Sequence, residues 1–375
     1  MLARSHTARR RVVLVGAGHA HLAVLRDFAR AAVPGIELIL VTPEPGTVYS
    51  GMVPGWLSGT YSLHDCTIAV TTLAKSAGAR LVMDRVVACD AGARLVLLAG
   101  GGRLDYDLLS LDIGSGSNWS SVAPGRCEWM PLRPIAEFAR RWEAWQASPR
   151  SASAEIVVVG GGAAGVEVAL CIGAARRRRG EGGTVSLVTR TAASLGAAGS
   201  RAANASREAF AEAGVRLLQG AVEPSPAGPV LAGRRLLPAD LAIVATGARA
   251  AGWLRTSGLA TDADGFVRVS ETQQSVSHSD VFATGDVSSR DEAGWSRSGV
   301  HAVRAGAVLA ANLRSALLGR PLRAYRPRAR SLALLATGSG RAIALWGSLA
   351  SHSRWAWRWK RWIDERFVRQ HREAA

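Results

Sequence analysis

Apolar residues fall in short runs that alternate with amphipathic stretches, and glycines mark many of the junctions. Arg11 to Val15 is a β-rich run entering Gly16-Ala17-Gly18-His19-Ala20-His21, after which Leu22, Val24, Leu25 and Phe28 recur at helical spacing. Pro34-Gly35 stops that helix, and Ile36 to Val41 is a second apolar strand. Strand, glycine turn, helix and strand within about 30 residues outline a mononucleotide-binding βαβ unit. Strand-like runs follow at Leu81 to Ala88, Arg94 to Leu98 and Leu108 to Ile113.

The pattern then recurs. A helix carrying Ile135, Phe138, Trp142 and Trp145 leads to a polar break at Ser148-Pro149-Arg150-Ser151. Next come the strand Ile156 to Val159, the turn Gly160-Gly161-Gly162-Ala163-Ala164-Gly165, a helix, and the strand Val185 to Val188. Ser206 to Ala213, closed by Gly214, predicts a helix with a glycine cap. Leu241 to Ala245 is an apolar strand ending in Thr246-Gly247. The chain returns to the first unit through Val281 to Asp286 and a helix near Val300 to Leu317. Beyond Tyr325, Ser331 to Leu349 is strand-like and Ser353 to Arg372 is rich in Trp and Arg. The expected fold is α/β: two Rossmann-like dinucleotide-binding domains of the three-layer ββα type plus a small C-terminal segment. Residues 1–125 and 265–325 form the first domain, 126–264 the second, and 326–375 the C-terminal segment.

Composition narrows the class. A chain of 375 residues is comfortable for two cores, and 48% hydrophobic content excludes a disordered polymer. No apolar run approaches the roughly 18 residues that a membrane span needs. The start, MLARSHTARRR, is basic without an apolar stretch, so no secretory signal is read there. A cytoplasmic location, or a peripheral one on the inner membrane face, is expected. The formal charge of +17 would suit a polyanion, yet only Lys75 and Lys360 are lysines and acids are scattered among the arginines. Global codon bias accounts for that pattern, and no nucleic acid is expected as a partner. Cys66, Cys89, Cys127 and Cys171 are far apart, with neither redox-dithiol nor zinc spacing, so they are expected to be reduced packing residues and no metal is expected.

The turn at 160–165 has the full G-x-G-x-x-G spacing. Gly160 permits the tight turn, Gly162 lets backbone approach a pyrophosphate, and Gly165 lets the helix pack on the strand, with Ala163 among the N–H groups that face phosphate. Following an apolar strand and preceding a helix, that spacing is specific. The first turn departs from it: Gly16 and Gly18 are in place, but His21 stands at the third glycine. His19 and His21 either contact a phosphate, or His21 fills a widened helix–strand gap. After the second strand of the first unit comes Thr42-Pro43, with Glu44 beyond, where a ribose contact is expected. The matching position in the second unit is Thr189-Arg190; arginine without a carboxylate suits NADPH, although arginine is common in this chain.

Over roughly residues 10 to 325 the chain resembles the pyridine-nucleotide disulfide oxidoreductase superfamily. The marks are GAGHAH, Asp112-Ile113-Gly114-Ser115, GGGAAGVE, Ala245-Thr246-Gly247 and Val281-Phe282-Ala283-Thr284-Gly285-Asp286. Within it the chain is similar to the type II NADH dehydrogenase and sulfide:quinone oxidoreductase branch. GAGHAHLAVLRDF, YSGMVPG, SLDIGS and WRWKRWIDERF look more closely like the flavoprotein found in some organisms fused to selenide, water dikinase. The resemblance implies FAD at Gly16, Gly18, His19, Ala20, His21, Thr42, Pro43, Met52, Pro54, Val86, Gly114, Gly285, Asp286, His301 and Ala302, with Asp286 on the ribityl chain. It implies NADH or NADPH at Gly160, Gly162, Ala163, Gly165, Glu167, Arg190 and Gly247. Hydride would pass from nicotinamide C4 to flavin N5, with positioning as the protein's contribution. Glu167 either lies near the nicotinamide or is a carboxylate favoured by its helix dipole.

The expected activity is an FAD-dependent NAD(P)H oxidoreductase passing electrons to a quinone or another small acceptor. The alternatives are a partner-binding flavoprotein linked to selenium metabolism with little turnover, and sulfide or selenide oxidation without thiols. Both thiol chemistries of the superfamily are disfavoured, because no dithiol is present and no cysteine follows Cys171. In the tail, Trp355, Trp359, Trp362 and Ile363 share a helical face among Arg354, Arg358, Lys360, Arg361, Arg366 and Arg369. Such a helix either meets an anionic membrane or docks on its own FAD domain or at a homodimer contact, and Asp364 and Glu365 interrupt its basic face.

Overall fold

The computed structural model describes residues 9–117, 119, 123, 125–190, 200–231, 235–290, 299–327 and 332–373. The basic start at 1–8 and Ser331 lie outside the described residues. Two five-stranded parallel sheets organise the chain. In the first, the strands run in the order Val281–Ala283, Leu108–Leu111, Arg10–Val15, Ile36–Val41, Arg80–Val82. In the second, the order is Glu128–Pro131, Leu241–Val244, Ile156–Val159, Val185–Thr189, Val215–Gln219.

The two-residue period of a strand explains the layering. Val12 and Leu14 face Leu22 and Leu25 of the helix His19–Arg30, while Val13 and Val15 face Val86, Val96 and Leu98 on the opposite side. That opposite layer is a three-stranded antiparallel sheet of Val86–Asp90, Leu95–Leu98 and Arg103–Asp105. Helix, parallel sheet and antiparallel sheet make the three layers expected. The second sheet is built alike: Ile156 and Val158 pack with Val166 and Leu170, and Val157 and Val159 with Cys127 and Leu237.

Three local readings change. The run from Leu81 to Ala88 is two strands in different sheets. They part at Asp84, whose carboxylate accepts the Arg85 N–H at 2.6 Å and the Gly100 N–H at 3.1 Å. The helix placed at Ser206–Ala213 begins at Ser200, and Gly214 closes it at φ +68°. The tail folds as a meander, Ala333–Ala336, Ala342–Trp346 and Leu349–Ser353, followed by the helix Arg354–Arg372. This last helix lies against the meander, the strand Thr67–Ala69 and the helix His19–Arg30. No helix among the described residues is long and apolar enough to cross a membrane.

Candidate functional site

In each parallel sheet the glycine turn leaves the central strand between neighbours on both sides, the crevice where open α/β sheets take ligands. Gly16 holds φ +87°, and a Cβ there would meet the Asp112 carbonyl oxygen at 2.5 Å. A Cβ on Gly18 would collide with the Asp112 carboxylate. That carboxylate is buried and accepts the N–H groups of Ala20 at 2.8 Å and His21 at 3.0 Å. Burial, with Asp286 adding a like charge, pushes the Asp112 carboxyl up to about 7.

His21 does not enter the cradle. Its ring is buried beneath the turn, with Nδ1 at 2.6 Å from the Gly16 carbonyl and Nε2 at 2.8 Å from the Ser110 hydroxyl. A carbonyl only accepts, so Nδ1 carries the proton and Nε2 accepts from Ser110. Burial lowers the ring to about 4, which keeps it neutral. The gap-filling reading therefore holds for His21. His19, also pushed down to about 4 by burial, packs its ring edge-on to Tyr49 at 5.2 Å and accepts the Ser50 N–H at 3.4 Å.

Around this turn the remaining marks of the first unit gather. Gly285 holds φ +70°, and a Cβ there would meet Asp112 Oδ1 at 2.8 Å and Ala302 at 3.5 Å. Asp286 pairs with Arg133 at 3.1 Å, and the Ser115 hydroxyl lies 2.9 Å from the Arg133 guanidinium. Arg133 had no mark in the sequence, since it sits in a crossover with no motif. Gly114 holds φ +67° with open space beside it. Thr42 is buried with its hydroxyl turned to Glu44, Pro43 is exposed, and Met52 and Pro54 are buried in the turns after Tyr49. Val86 is buried at the bulged start of the antiparallel layer. His301 lies at the start of the helix Gly299–Leu317, with Nδ1 3.3 Å from the Tyr325 hydroxyl.

The second turn is open in front. Gly160 holds φ +127°, with a Cβ position 2.6 Å from the Ala245 carbonyl oxygen, and a Cβ on Gly165 would strike the Gly160 carbonyl. Gly162 and Gly247, by contrast, have nothing within 4 Å of a Cβ position. The Thr246 hydroxyl between them in this crevice is buried without a hydrogen-bond partner among the described residues. A tight turn, an open approach and an orphaned hydroxyl fit a dinucleotide phosphate. Arg190 is exposed just past the strand Val185–Thr189.

Glu167 joins the two halves. It lies beyond the first turn of the helix Ala163–Arg179 and is largely buried, so the helix-dipole reading gives way to specific partners. Its carboxylate accepts the Ala336 N–H at 2.8 Å and lies 3.7 Å from Lys360 Nζ. Lys360 in turn lies 3.2 Å from Asp364 and donates to the Gly51 carbonyl at 2.9 Å. Burial raises both carboxyls and Lys360 opposes the rise; the two acids in turn hold the Lys360 ammonium up against its own burial. Tyr49 completes the group, its hydroxyl bonded to Asp364 and its ring stacked on Phe367 at 4.4 Å. Lys360 and Asp364 thus lie on the docked face of the last helix, apart from the arginines around the tryptophans. The helix packs on the strand Thr67–Ala69 and the helix His19–Arg30 of the first unit, while Trp355, Trp359, Trp362 and Ile363 stay exposed.

All four cysteines are free and buried, and burial lifts Cys66 to about 12 and Cys89 to about 11.

Two glycine turns on two parallel sheets, with Glu167 of the second unit and Gly51 of the first both held by Lys360, have the form of an oxidoreductase that handles two dinucleotides. The family model for pyridine nucleotide-disulphide oxidoreductases matches residues 10–306, and the chain belongs to that family. It is an FAD-dependent NAD(P)H oxidoreductase. No curated protein matches the sequence. Among solved structures, the sulfide:quinone oxidoreductase of Aquifex aeolicus is similar at TM-score 0.77 and 15% identity, over 97% of this chain and 92% of that one. NDH2 of Plasmodium falciparum in complex with NADH is similar at TM-score 0.78 and 11% identity, over 98% and 96%. A ferredoxin reductase of Rhodopseudomonas palustris gives 0.70 and 20%, over 89% and 81%. At these identities the likeness is one of fold.

Proposed function

We propose that the chain takes hydride from NADPH or NADH and passes electrons to a quinone gathered at a lipid surface. The observation that carries this is the last helix. Its inner face holds Lys360 and Asp364 against Glu167 and Gly51, and its outer face presents Trp355, Trp359, Trp362 and Ile363, each between 38% and 54% exposed. Indole rings beside arginine suit a membrane interface, and Arg366 already stacks on Trp362 at 5.3 Å. FAD, when bound, supplies a flavin ring that accepts two electrons from nicotinamide.

The chain's own groups hold and orient. Gly16, Gly18, His19 and Ala20 with Gly114, Gly285, Asp286, His301 and Ala302 form the flavin side, and His21 supports it from beneath. Thr42, Pro43 and Val86 flank the adenosine end, and Met52 and Pro54 line the ring. Gly160, Gly162, Ala163, Gly165, Arg190 and Gly247 take the nicotinamide nucleotide. Glu167, held by Lys360, is the acid at the junction and could carry a proton there. Buried cysteines with raised thiol pKa values weigh against thiol-mediated sulfide chemistry.

The test is anaerobic reduction followed by oxidation with a panel of acceptors. Bleaching of the flavin by NADPH or NADH, then rapid return of colour with a menaquinone or ubiquinone analogue in vesicles, is expected. Retained FAD that neither nucleotide bleaches would overturn the proposal. Reoxidation by ferredoxin but not by quinone would move the acceptor elsewhere.

A further inference from the structure

The first cradle already contains a carboxyl group. Asp112 reaches under the turn and accepts the N–H groups of Ala20 and His21, the second and third residues of the phosphate helix, at 2.8 and 3.0 Å. Helix N-terminal N–H groups are the donors a pyrophosphate uses. The carboxyl group sits against both Gly18 and Gly285, where a Cβ on either would meet it. Two negative groups at one helix end repel unless one is neutralised. We propose that Asp112 is a proton-linked gate on cofactor retention: FAD is held with Asp112 protonated, and loss of that proton releases it.

The inference rests on assigning FAD to the first cradle. Protonated Asp112 has one oxygen left to accept the helix N–H groups and an O–H that can donate to a phosphate oxygen. The surroundings leave it as the group that responds near neutrality. From its own helix neighbours, His21 is neutral and tied to Gly16 and Ser110, and His19 points to Tyr49 and Ser50. From the turn at 285–287, Asp286 adds negative charge but is paired with Arg133. From the helix Gly299–Leu317, Ala302 is the near contact, and the His301 ring is beside Tyr325. Burial places Asp112 at about 7 before any phosphate is present, and a pyrophosphate would raise it further. FAD binding then takes up a proton above that pH, and affinity falls as pH rises.

The holoprotein is diluted at pH 6 to 9, and released FAD is read by its fluorescence. The dissociation constant is expected to be flat near pH 6 and to rise toward tenfold per pH unit above about 7, one proton per FAD. Asp112→Asn should flatten that dependence and tighten retention at pH 9. Asp112→Ser serves if the Asn variant does not fold. A wild-type dissociation constant independent of pH, or the same slope in a folded variant, overturns the gate. Absence of FAD at every pH would instead overturn the flavin assignment of this cradle.

Discussion

At residue scale, the histidine in place of the third glycine shows how one departure from a motif can be compensated. His21 fills the space between helix and strand that glycine would have closed, and it depends on Ser110 to satisfy Nε2. Restoring the motif with His21→Gly should therefore destabilise the protein, by about 2–4 kcal/mol in urea unfolding, through a cavity and an orphaned hydroxyl. A folded variant of unchanged stability would refute that account. Arg190→Ala should weaken NADPH more than NADH, because only NADPH offers a 2′-phosphate to the exposed guanidinium; equal losses in a binding titration would remove the idea. The glycines and Asp286 were legible in the chain because each answers a local demand of backbone or charge. Arg133 and Asp112's carboxylate contacts were not, since nothing at short sequence range ties Arg133 to Asp286 or Asp112 to helix N–H groups 92 residues away.

Elements add a second layer of specificity. Gly162 and Gly165 belong to the same turn but face opposite ways, one toward open space and the other against the Gly160 carbonyl. Gly162→Ala is expected to fold normally and weaken NAD(P)H binding roughly tenfold or more, whereas Gly165→Ala should lower stability itself; calorimetric melting with and without nucleotide separates the two. The final helix is the element that sequence periodicity read least well. Its tryptophans define one stripe, yet the stripe is the exposed one, and the docked face carries Ala356, Lys360, Asp364 and Val368. A charged pair looks like surface until its partners are known, and here they are Glu167 and Gly51 from two distant segments. Lys360→Met would leave Glu167 and Asp364 without their cation, an expected loss of about 3–5 kcal/mol of stability. Recovery of that loss when Glu167→Gln is added would show that charge, not volume, is at stake.

For the molecule as a whole, fold class was legible because the strand–glycine–helix pattern occurs twice and the chain visibly returns to its first sheet. The meeting of the two halves was not, since it depends on packing of the meander against the second phosphate helix. Replacing Trp355, Trp359 and Trp362 together by Ser should abolish sedimentation with anionic vesicles and leave melting temperature and anaerobic reduction by nucleotide unchanged; loss of fold would show that the indoles pack rather than bind lipid. The same helix has a consequence for how the protein is made. Tyr49 and Gly51 emerge from the ribosome early, but the side chains that brace them, Lys360, Asp364 and Phe367, are translated more than 300 residues later. A nascent chain can fold its first sheet long before that brace exists, so Tyr49 and Gly51 are held in place only once the last helix has been made. Proteolytic clipping ahead of Arg354 would return the mature protein to that unfinished condition.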